Sequence, residues 1–312
     1  MKTSLKTWLY GFELLTISTL VFLLYISLAT QNHFSQLEPM LDGTAPRPYV
    51  YRVLTPLVAQ AASDLLDISP FASVVFTMYI SLLGFAWSIL SLTKILLPMP
   101  YALPLGLFAP FGLIPFLFEQ RHIYDFPTLF LFSLALWLLA KENFGTYLFI
   151  FFLATLSKET SFFLILFFLL HFRKIERRYF LSLVFAQLAI YTFVRFTLIM
   201  LFSQNPGGLV EFHLHEHMEA YLQNPVKTII LMLTILGIIG ISMIDKSEKT
   251  RFARDALLAI GAPTLALYFF FGVPFEVRIF LEAYPAMFLM ISSGAIHLMG
   301  RPKNTDFPIA EN

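Results

Sequence analysis

The chain contains no cysteine, and only 14 of its 312 residues are glycine. Without cysteine it cannot form disulfides, iron–sulfur clusters or thiolate metal sites. Charged residues make up just 13% of the sequence, whereas hydrophobic residues make up 58% and include 36 phenylalanines. A soluble globular domain is less apolar and more highly charged than this. The composition therefore predicts an integral membrane protein.

Several motifs of well-known enzyme classes are also missing. The chain has no Walker phosphate-binding loop, no dinucleotide fingerprint, no nucleophile elbow and no HExxH pair. Their absence argues against nucleotide use and against two kinds of protease or lipase chemistry. A net charge of +1 gives no reason to expect nucleic acid as a partner.

The long apolar stretches are continuous rather than alternating, which predicts helices instead of a barrel. We predict an all-α, polytopic transmembrane bundle of about eight full spans plus a short-helix hairpin, or nine to ten helices. The first span is an uncleaved anchor at Trp8–Ala29. The later spans are Pro70–Leu92, Ile95–Phe118, Phe126–Ala140, Tyr179–Phe202, Val226–Ile244, Ala256–Phe271 and Tyr284–Met299.

Short basic clusters between these spans predict the orientation of the chain. The positive-inside rule places them all in the cytoplasm: Lys2, Lys6, Lys94, Lys141, Arg173–Arg178, Asp245–Arg254, Arg301 and Lys303. Residues 1–312 then form one membrane domain with both termini cytoplasmic and a tail at 300–312. Residues 30–68 form the first extracytoplasmic loop, with an amphipathic helix. Because the loops carry no N-glycosylation sequon, we expect a bacterial inner membrane.

A charged pair, Lys158 and Glu159, interrupts the apolar stretch Phe144–Phe172. Both ends of this stretch are expected in the cytoplasm, yet it is too long for one span and too short for two. Two arms of about 13 residues would each rise about 20 Å. This predicts a hairpin whose charged apex lines a polar cavity. The alternative is one long tilted helix whose charged pair points into the bundle.

The first outer loop contains two arginines, Arg47 and Arg52, within the segment APRPYVYRVLTPL. The positive-inside rule disfavours arginine on the outer face, and guanidinium groups bind phosphate in a bidentate manner. We interpret both as contacts for a phosphorylated lipid head group, with Tyr51 beside them at the lipid interface. The alternative is interfacial snorkelling with pairing to Asp64 or Asp67.

Two carboxylates, Glu38 and Asp42, precede these arginines. A carboxylate within hydrogen-bond distance of an incoming hydroxyl can act as a general base. The LDG sequence around Asp42 is equally typical of an ordinary turn. Both interpretations stay open.

The segment EQRHIYDFP offers further polar groups on the outer side. We expect some of Glu119, Arg121, His122 and Tyr124 to face the cavity. Asp125, before Phe126 and Pro127, has the pattern of a helix N-cap.

Charges also precede the last span, at Glu276, Arg278 and Glu282. Arg278 and Glu282 are four residues apart and can pair along one helical face. In the hairpin, Lys158 can pair with Glu159 or bind a phosphate, and a helix N-terminus beside it would favour an anion.

Three histidines alternate with other residues at His213, His215 and His217. They converge on a metal only in an extended segment, because in a helix only His213 and His217 share a face. A metal site and a solvated amphipathic loop are both compatible with the pattern. No residue is assigned as a metal ligand.

The order LDG, RPYVYRVLTPL, SKETSFFL and EVRIFLEAYP resembles polytopic glycosyltransferases of the GT-C superfamily, specifically bacterial mannosyltransferase-like membrane proteins. The resemblance implies a polyprenyl-phosphate sugar donor and an extracytoplasmic active site. It also implies an acid in the first outer loop, serving as base or metal-associated carboxylate; by position this is Asp42. Many members have two acids or an acid-x-acid arrangement there, whereas Glu38 and Asp42 stand apart.

We therefore expect an inverting hexosyltransferase of the cell envelope, with membrane lipids and a polyprenyl-phosphate sugar lipid as partners. Its catalytic residues would be Asp42 and Glu38. Its phosphate- or substrate-binding residues would be Arg47, Tyr51, Arg52, Arg121, Lys158, Glu159, Glu276 and Arg278. No cofactor is assigned, and a divalent metal ion is left open. The alternatives are a transporter or flippase for a lipid-linked or anionic solute, or a non-catalytic membrane assembly protein.

Overall fold

The computed structural model describes residues 2–31, 36–117, 120–208, 212–245 and 247–300. These ranges are helical over most of their length, which confirms the predicted all-α bundle. Six stretches among them are long and apolar enough to cross a membrane and indicate an integral membrane protein. They are Trp8–Leu28, Pro70–Leu96, Met99–Phe116, Arg177–Leu201, Pro225–Ser242 and Thr250–Phe271.

The α-helices of the described ranges are numbered in chain order. They are α1 (Lys2–Leu28), α2 (Leu37–Leu41), α3 (Leu54–Leu66), α4 (Pro70–Leu96), α5 (Met99–Phe108), α6 (Asp125–Ala140), α7 (Phe144–Ser157), α8 (Phe162–His171), α9 (Arg177–Leu201), α10 (Leu214–Gln223), α11 (Pro225–Ser242), α12 (Glu248–Ala256), α13 (Ala262–Phe271) and α14 (Tyr284–Leu298). A π-helical turn, Leu257–Gly261, joins α12 to α13. Short 3₁₀ helices cover Tyr49–Tyr51, Ala109–Phe116, Glu159–Ser161 and Val277–Glu282.

Two of the predicted full spans are short helices. Helices α6 and α14 belong, with α7 and the segment Glu159–His171, to a set of apolar helices of 10–17 residues. Helix α6 nevertheless forms the centre of the bundle, since most of its residues are buried and it packs against α4 and α7. The count of about eight full spans, and the cytoplasmic position of both termini, stay predictions.

The stretch predicted as the span Ile95–Phe118 is broken by proline. Helix α4 ends at Leu96, Pro98 precedes α5, and Pro104 lies inside α5. A 3₁₀ helix, Ala109–Phe116, then replaces the α-helical turns. Proline lacks the backbone N–H that continues an α-helix, so this apolar stretch cannot run as one straight element.

The predicted hairpin is present, and the single long helix is excluded. Helix α7 ends at Ser157, and Lys158 has an extended backbone with φ −159° and ψ 145°. At the other end, the ring of Phe144 lies 5.4 Å from that of Phe172 and 5.8 Å from that of Phe168. The start of α7 therefore lies beside the end of α8, with Lys158 and Glu159 at the apex.

A small element that the sequence did not predict ties the first loop to the segment before α6. Strand β1 (Thr30–Gln31) pairs in parallel with strand β2 (Gln120–Arg121). Arg121 also donates from Nη1 to the carbonyl oxygen of Ile26 at 3.1 Å. The end of α1 is thus held next to the start of α6, where the charged side chains collect.

Candidate functional site

Arg52 is the first buried charge of the site. It directly follows the 3₁₀ helix Tyr49–Tyr51 and is 8% exposed. Its Nη2 donates to Oε1 of Glu159 at 2.8 Å. Its Nη1 donates to the hydroxyl of Tyr124, and the guanidinium carbon lies 4.4 Å from that ring centre. The arginine is therefore fixed by two elements distant in sequence.

A chain of hydrogen bonds runs from Arg52 through Tyr124 to His122. The Tyr124 oxygen accepts from Arg52 and lies 2.8 Å from Nδ1 of His122, and we assign the Tyr124 proton to this nitrogen. His122 is then the tautomer with its proton on Nε2, which makes Nε2 a donor. The His122 ring stacks on Tyr49, with centroids 6.0 Å apart and planes 2° apart.

Arg278 anchors a second part of the site, on the 3₁₀ helix before α14. It donates from Nη1 to Oδ1 of Asp125 at 2.8 Å and from Nε to Oε1 of Glu276 at 3.0 Å. The other oxygen of Asp125 accepts from the Tyr25 hydroxyl at 2.8 Å and from the His122 backbone N–H at 3.1 Å. The prediction that Asp125 is an N-cap is wrong, because α6 begins at Asp125 and Tyr124 occupies the cap position.

Lys158 pairs with Glu282 rather than with its sequence neighbour Glu159. The extended backbone at Lys158 sends adjacent side chains in opposite directions. The predicted pairing of Arg278 with Glu282 along one helical face is also wrong, because the two side chains have different partners. The segment there is a 3₁₀ helix with three residues per turn, so residues four apart do not share a face.

Hydrogen bonds and ion pairs connect Glu159 through Arg52 to Glu276, and the charge of the separate Lys158–Glu282 pair acts on His122. We call this largely buried set the ion-pair network. Its members are Arg52, His122, Tyr124, Asp125, Lys158, Glu159, Glu276, Arg278 and Glu282. Two of its buried polar atoms have no hydrogen-bond partner among the described residues: Nε2 of His122 and Oε2 of Glu282. One is a donor and the other an acceptor, so the network can donate one further hydrogen bond and accept one.

Burial and charge shift the proton affinities of the network. Burial lowers the pKa of His122 well below its usual value, and the nearby cations Arg278, Arg52 and Lys158 lower it further. Burial raises the pKa of the Tyr124 phenol, an effect that Arg52 partly offsets. Burial alone would lower the pKa of Arg52, but Glu159 raises it above the ordinary value. At neutral pH His122 is therefore uncharged, while Arg52 is charged.

Of the residues predicted to bind substrate, five meet in the network: Arg52, Lys158, Glu159, Glu276 and Arg278. The others lie elsewhere. Arg47 donates from Nη2 to the carbonyl oxygen of Gly207 at 2.7 Å, and Arg121 is held at Ile26. Tyr51 is buried beside Arg195, whose guanidinium carbon lies 5.2 Å from the Tyr51 ring centre.

The two predicted catalytic acids, Glu38 and Asp42, are solvent-exposed at α2. Asp42 ends that helix, and the next residue, Gly43, lies against the Phe202 side chain. The ring of Tyr51, the residue before Arg52, lies 6.5 Å from Phe202. The Asp42 turn is therefore separated from the Arg52 segment by one aromatic side chain. Glu119 lies outside the described residues.

The three histidines do not converge. His217 is buried on α10, with Nε2 2.8 Å from the carbonyl oxygen of Gly272 and Nδ1 2.8 Å from the Tyr221 hydroxyl. His213 lies 2.7 Å from Glu216, and the side chain of His215 is 87% exposed. Within the described ranges no group of three His, Cys, Asp or Glu side chains is arranged to hold a metal ion.

Two residues of this region were missed in the sequence. Arg195 lies within the apolar span α9 and adds positive charge near Glu159. A lone arginine in a span is a recognisable signal, because an intramembrane charge needs a polar neighbourhood. Tyr25 had no such signal, since a tyrosine near the end of an apolar helix is usual at a membrane interface.

Comparison of the chain with family models, with curated proteins and with solved structures found no match. The cations of the ion-pair network come from separate segments and are held by carboxylates and aromatic rings at fixed positions. Such an arrangement can bind a group that carries negative charge and hydroxyls.

Proposed function

We propose that the protein is a glycosyltransferase that moves a sugar from a polyprenyl-phosphate donor to an acceptor on the extracytoplasmic side. The observation that carries this proposal is the pair of unused polar atoms in the ion-pair network. His122 Nε2 offers a donor and Glu282 Oε2 an acceptor, and neither has a partner among the residues described. A sugar phosphate accepts hydrogen bonds through its phosphate and donates them through its hydroxyls.

The two unused atoms belong to one electrostatic unit. Lys158 pairs with Glu282, and its charge acts on His122 together with those of Arg52 and Arg278. A buried polar atom without a partner carries a penalty of about 1–3 kcal/mol. A ligand that satisfies both atoms removes that penalty, which supports a substrate that carries both a phosphate and hydroxyl groups.

The proposed reaction is a direct displacement at the anomeric carbon. Asp42, exposed to solvent, takes the proton of the acceptor hydroxyl as a general base. The acceptor oxygen forms a bond to the anomeric carbon as the bond from that carbon to the phosphate oxygen breaks. The bonding electrons leave with polyprenyl phosphate, so one displacement inverts the anomeric configuration. Arg52, Lys158 and the Nε2–H of His122 stabilise the departing phosphate.

The experiment is a transfer assay with radiolabelled polyprenyl-phosphate sugars and membranes that contain matched amounts of protein. We expect transfer by the wild type and its loss in Asp42→Asn, because the amide cannot accept the acceptor proton. We expect at least a hundredfold loss in Arg52→Ala, the size observed when one stabilising donor is removed from an active site. Arg173→Gln, an exposed arginine without a partner in the described structure, is the control.

Transfer that both variants retain would remove Asp42 and Arg52 from the mechanism. Absence of transfer with every donor would contradict the enzyme and favour a transporter. One observation supports that second function: a charged break between α7 and α8, since transporters build their substrate sites from interrupted helices. Uptake of lipid-linked sugars into proteoliposomes distinguishes the two.

A further inference from the structure

A cavity of about 680 Å³ lies between α11, α13 and α14, apart from the residues of the ion-pair network. Its walls are almost entirely apolar, with Ile238, Leu257 and Leu265 among the lining side chains. Helix α11, which forms one wall, buries only one of its residues, Ser242, so most of its surface is free to contact lipid. We call this cavity the α11 groove.

Two polar side chains lie at one end of the groove. Ser242 ends α11, and Arg254 lies in the last turn of α12. Both line the groove, whose other lining side chains are apolar apart from Thr234, and the Thr234 hydroxyl is bonded within its own helix. The groove is therefore amphipathic along its length, with a cation and an unpaired hydroxyl at one end.

Neither polar group has a partner that would explain its position. Ser242 is 8% exposed, and its buried Oγ makes no hydrogen bond within the described structure. Thr234, on the same helix, makes the hydrogen bond that is usual for a hydroxyl in a helix: it donates to the carbonyl oxygen of Ile230, four residues earlier, at 2.8 Å. The guanidinium of Arg254 has no hydrogen bond or ion pair to any described residue, whereas that of Arg251 lies 3.5 Å from Asp255.

The polar end belongs to the basic side of the bundle. Asp255, next to Arg254, lies 2.8 Å from His171 at the end of α8. The basic cluster Arg173–Arg178 follows directly. The positive-inside rule puts this side at the cytoplasmic leaflet, where anionic phospholipid head groups are the available counter-charges.

We propose that the α11 groove binds one anionic phospholipid of the cytoplasmic leaflet. One acyl chain lies along the apolar wall, and the phosphate accepts hydrogen bonds from Arg254 and Ser242. The groove spans α11 from Leu231 to Ser242, which at 1.5 Å per residue is about 16 Å and suits an acyl chain. The volume lies within the range of about 300–1,000 Å³ usual for ligand sites.

The test counts lipids bound to the purified full-length protein by native mass spectrometry. Phosphatidylglycerol and phosphatidylcholine with identical acyl chains are compared. We expect the wild type to retain phosphatidylglycerol preferentially, and Arg254→Gln to bind it about fivefold more weakly, the contribution of one cation at an anionic lipid surface. Ser242→Ala, a milder change, should weaken it less, and Ala262→Trp should fill the groove and weaken binding of both lipids.

Arg173→Gln is the matched control, because it removes an exposed charge on the same side without lining the groove. Equal weakening by Arg173→Gln and Arg254→Gln would show diffuse charge attraction and overturn the proposal. Equal retention of the two lipids by the wild type would also overturn it. Displacement of bound phosphatidylglycerol by equimolar polyprenyl phosphate would show that the groove prefers a polyprenyl lipid and would overturn the proposal as well. Gel filtration identifies variants that fail to fold. If Arg254→Gln is one of them, weaker phosphatidylglycerol binding by Ser242→Ala supports the proposal and unchanged binding overturns it.

Discussion

Arg52 donates to Glu159 at 2.8 Å, although a cation much nearer in sequence, Lys158, directly precedes Glu159. The pair joins the segment before α3 to the apex of the α7–α8 hairpin, two parts of the chain that are distant in sequence. Helix breaks and charges at membrane depth persist only where protein covers them. The contact therefore explains how the hairpin apex is stabilised and how the segment before α3 is held against it.

Replacing Arg52 and replacing Glu159 should lower the stability of the protein by different amounts. The Arg52 side chain is 10% exposed and that of Glu159 is 33% exposed. Glu159→Met leaves a buried guanidinium without its carboxylate, a defect of about 3–5 kcal/mol, whereas Arg52→Met leaves a carboxylate that water can reach. Thermal unfolding in detergent should show the larger loss for Glu159→Met.

The double variant Arg52→Met/Glu159→Met should be more stable than Glu159→Met alone, because no unpaired charge remains. Additive losses would mean that the two side chains do not interact energetically. Arg173→Met serves as the control for removal of an exposed arginine and should leave the midpoint unchanged.

Topology can be tested with single cysteines, because the chain has no cysteine of its own. Gln204 and Lys174 are both exposed and lie at opposite ends of α9. A membrane-impermeant maleimide should label Gln204→Cys in intact cells and label Lys174→Cys only after permeabilisation. Labelling of both in intact cells, or the reverse pattern, would refute the predicted orientation.

His122 should make stability dependent on pH on the acidic side. Burial and three neighbouring cations hold its pKa below the unfolded value of about 6.5. Between those two pKa values the unfolded state binds a proton that the folded state does not, so stability falls as pH decreases below about 6.5. The loss has a limit of about 1.4 kcal/mol per pH unit and ends at the folded pKa.

The measurement is the unfolding midpoint of wild type and His122→Gln from pH 7.5 to 5. The glutamine variant should show a shallower decrease over this range, since it cannot take up the proton. Parallel curves for the two proteins would mean that folding does not change the pKa of His122. His215→Gln, which changes a histidine with an 87% exposed side chain, should match the wild type.

Local sequence patterns determined the helical class, most helix positions and the hairpin. Continuous apolar runs identify helices because every backbone group must bond internally in lipid. The charged pair at Lys158 and Glu159 marked the hairpin apex for the same reason, since a span cannot carry both charges in lipid. The sequence also singled out Arg52, and its predicted role as a phosphate contact stays a prediction.

Only the tertiary structure decided which charges meet. Sequence spacing suggested that Lys158 could pair with Glu159 and Arg278 with Glu282, yet each of these residues pairs with a distant segment. Ion-pair geometry depends on the direction of each side chain, and the extended backbone at Lys158 and the 3₁₀ helix before α14 changed those directions. The cationic end of the α11 groove could not be predicted either, because its lining residues come from separate helices and no local sequence pattern records how these helices pack.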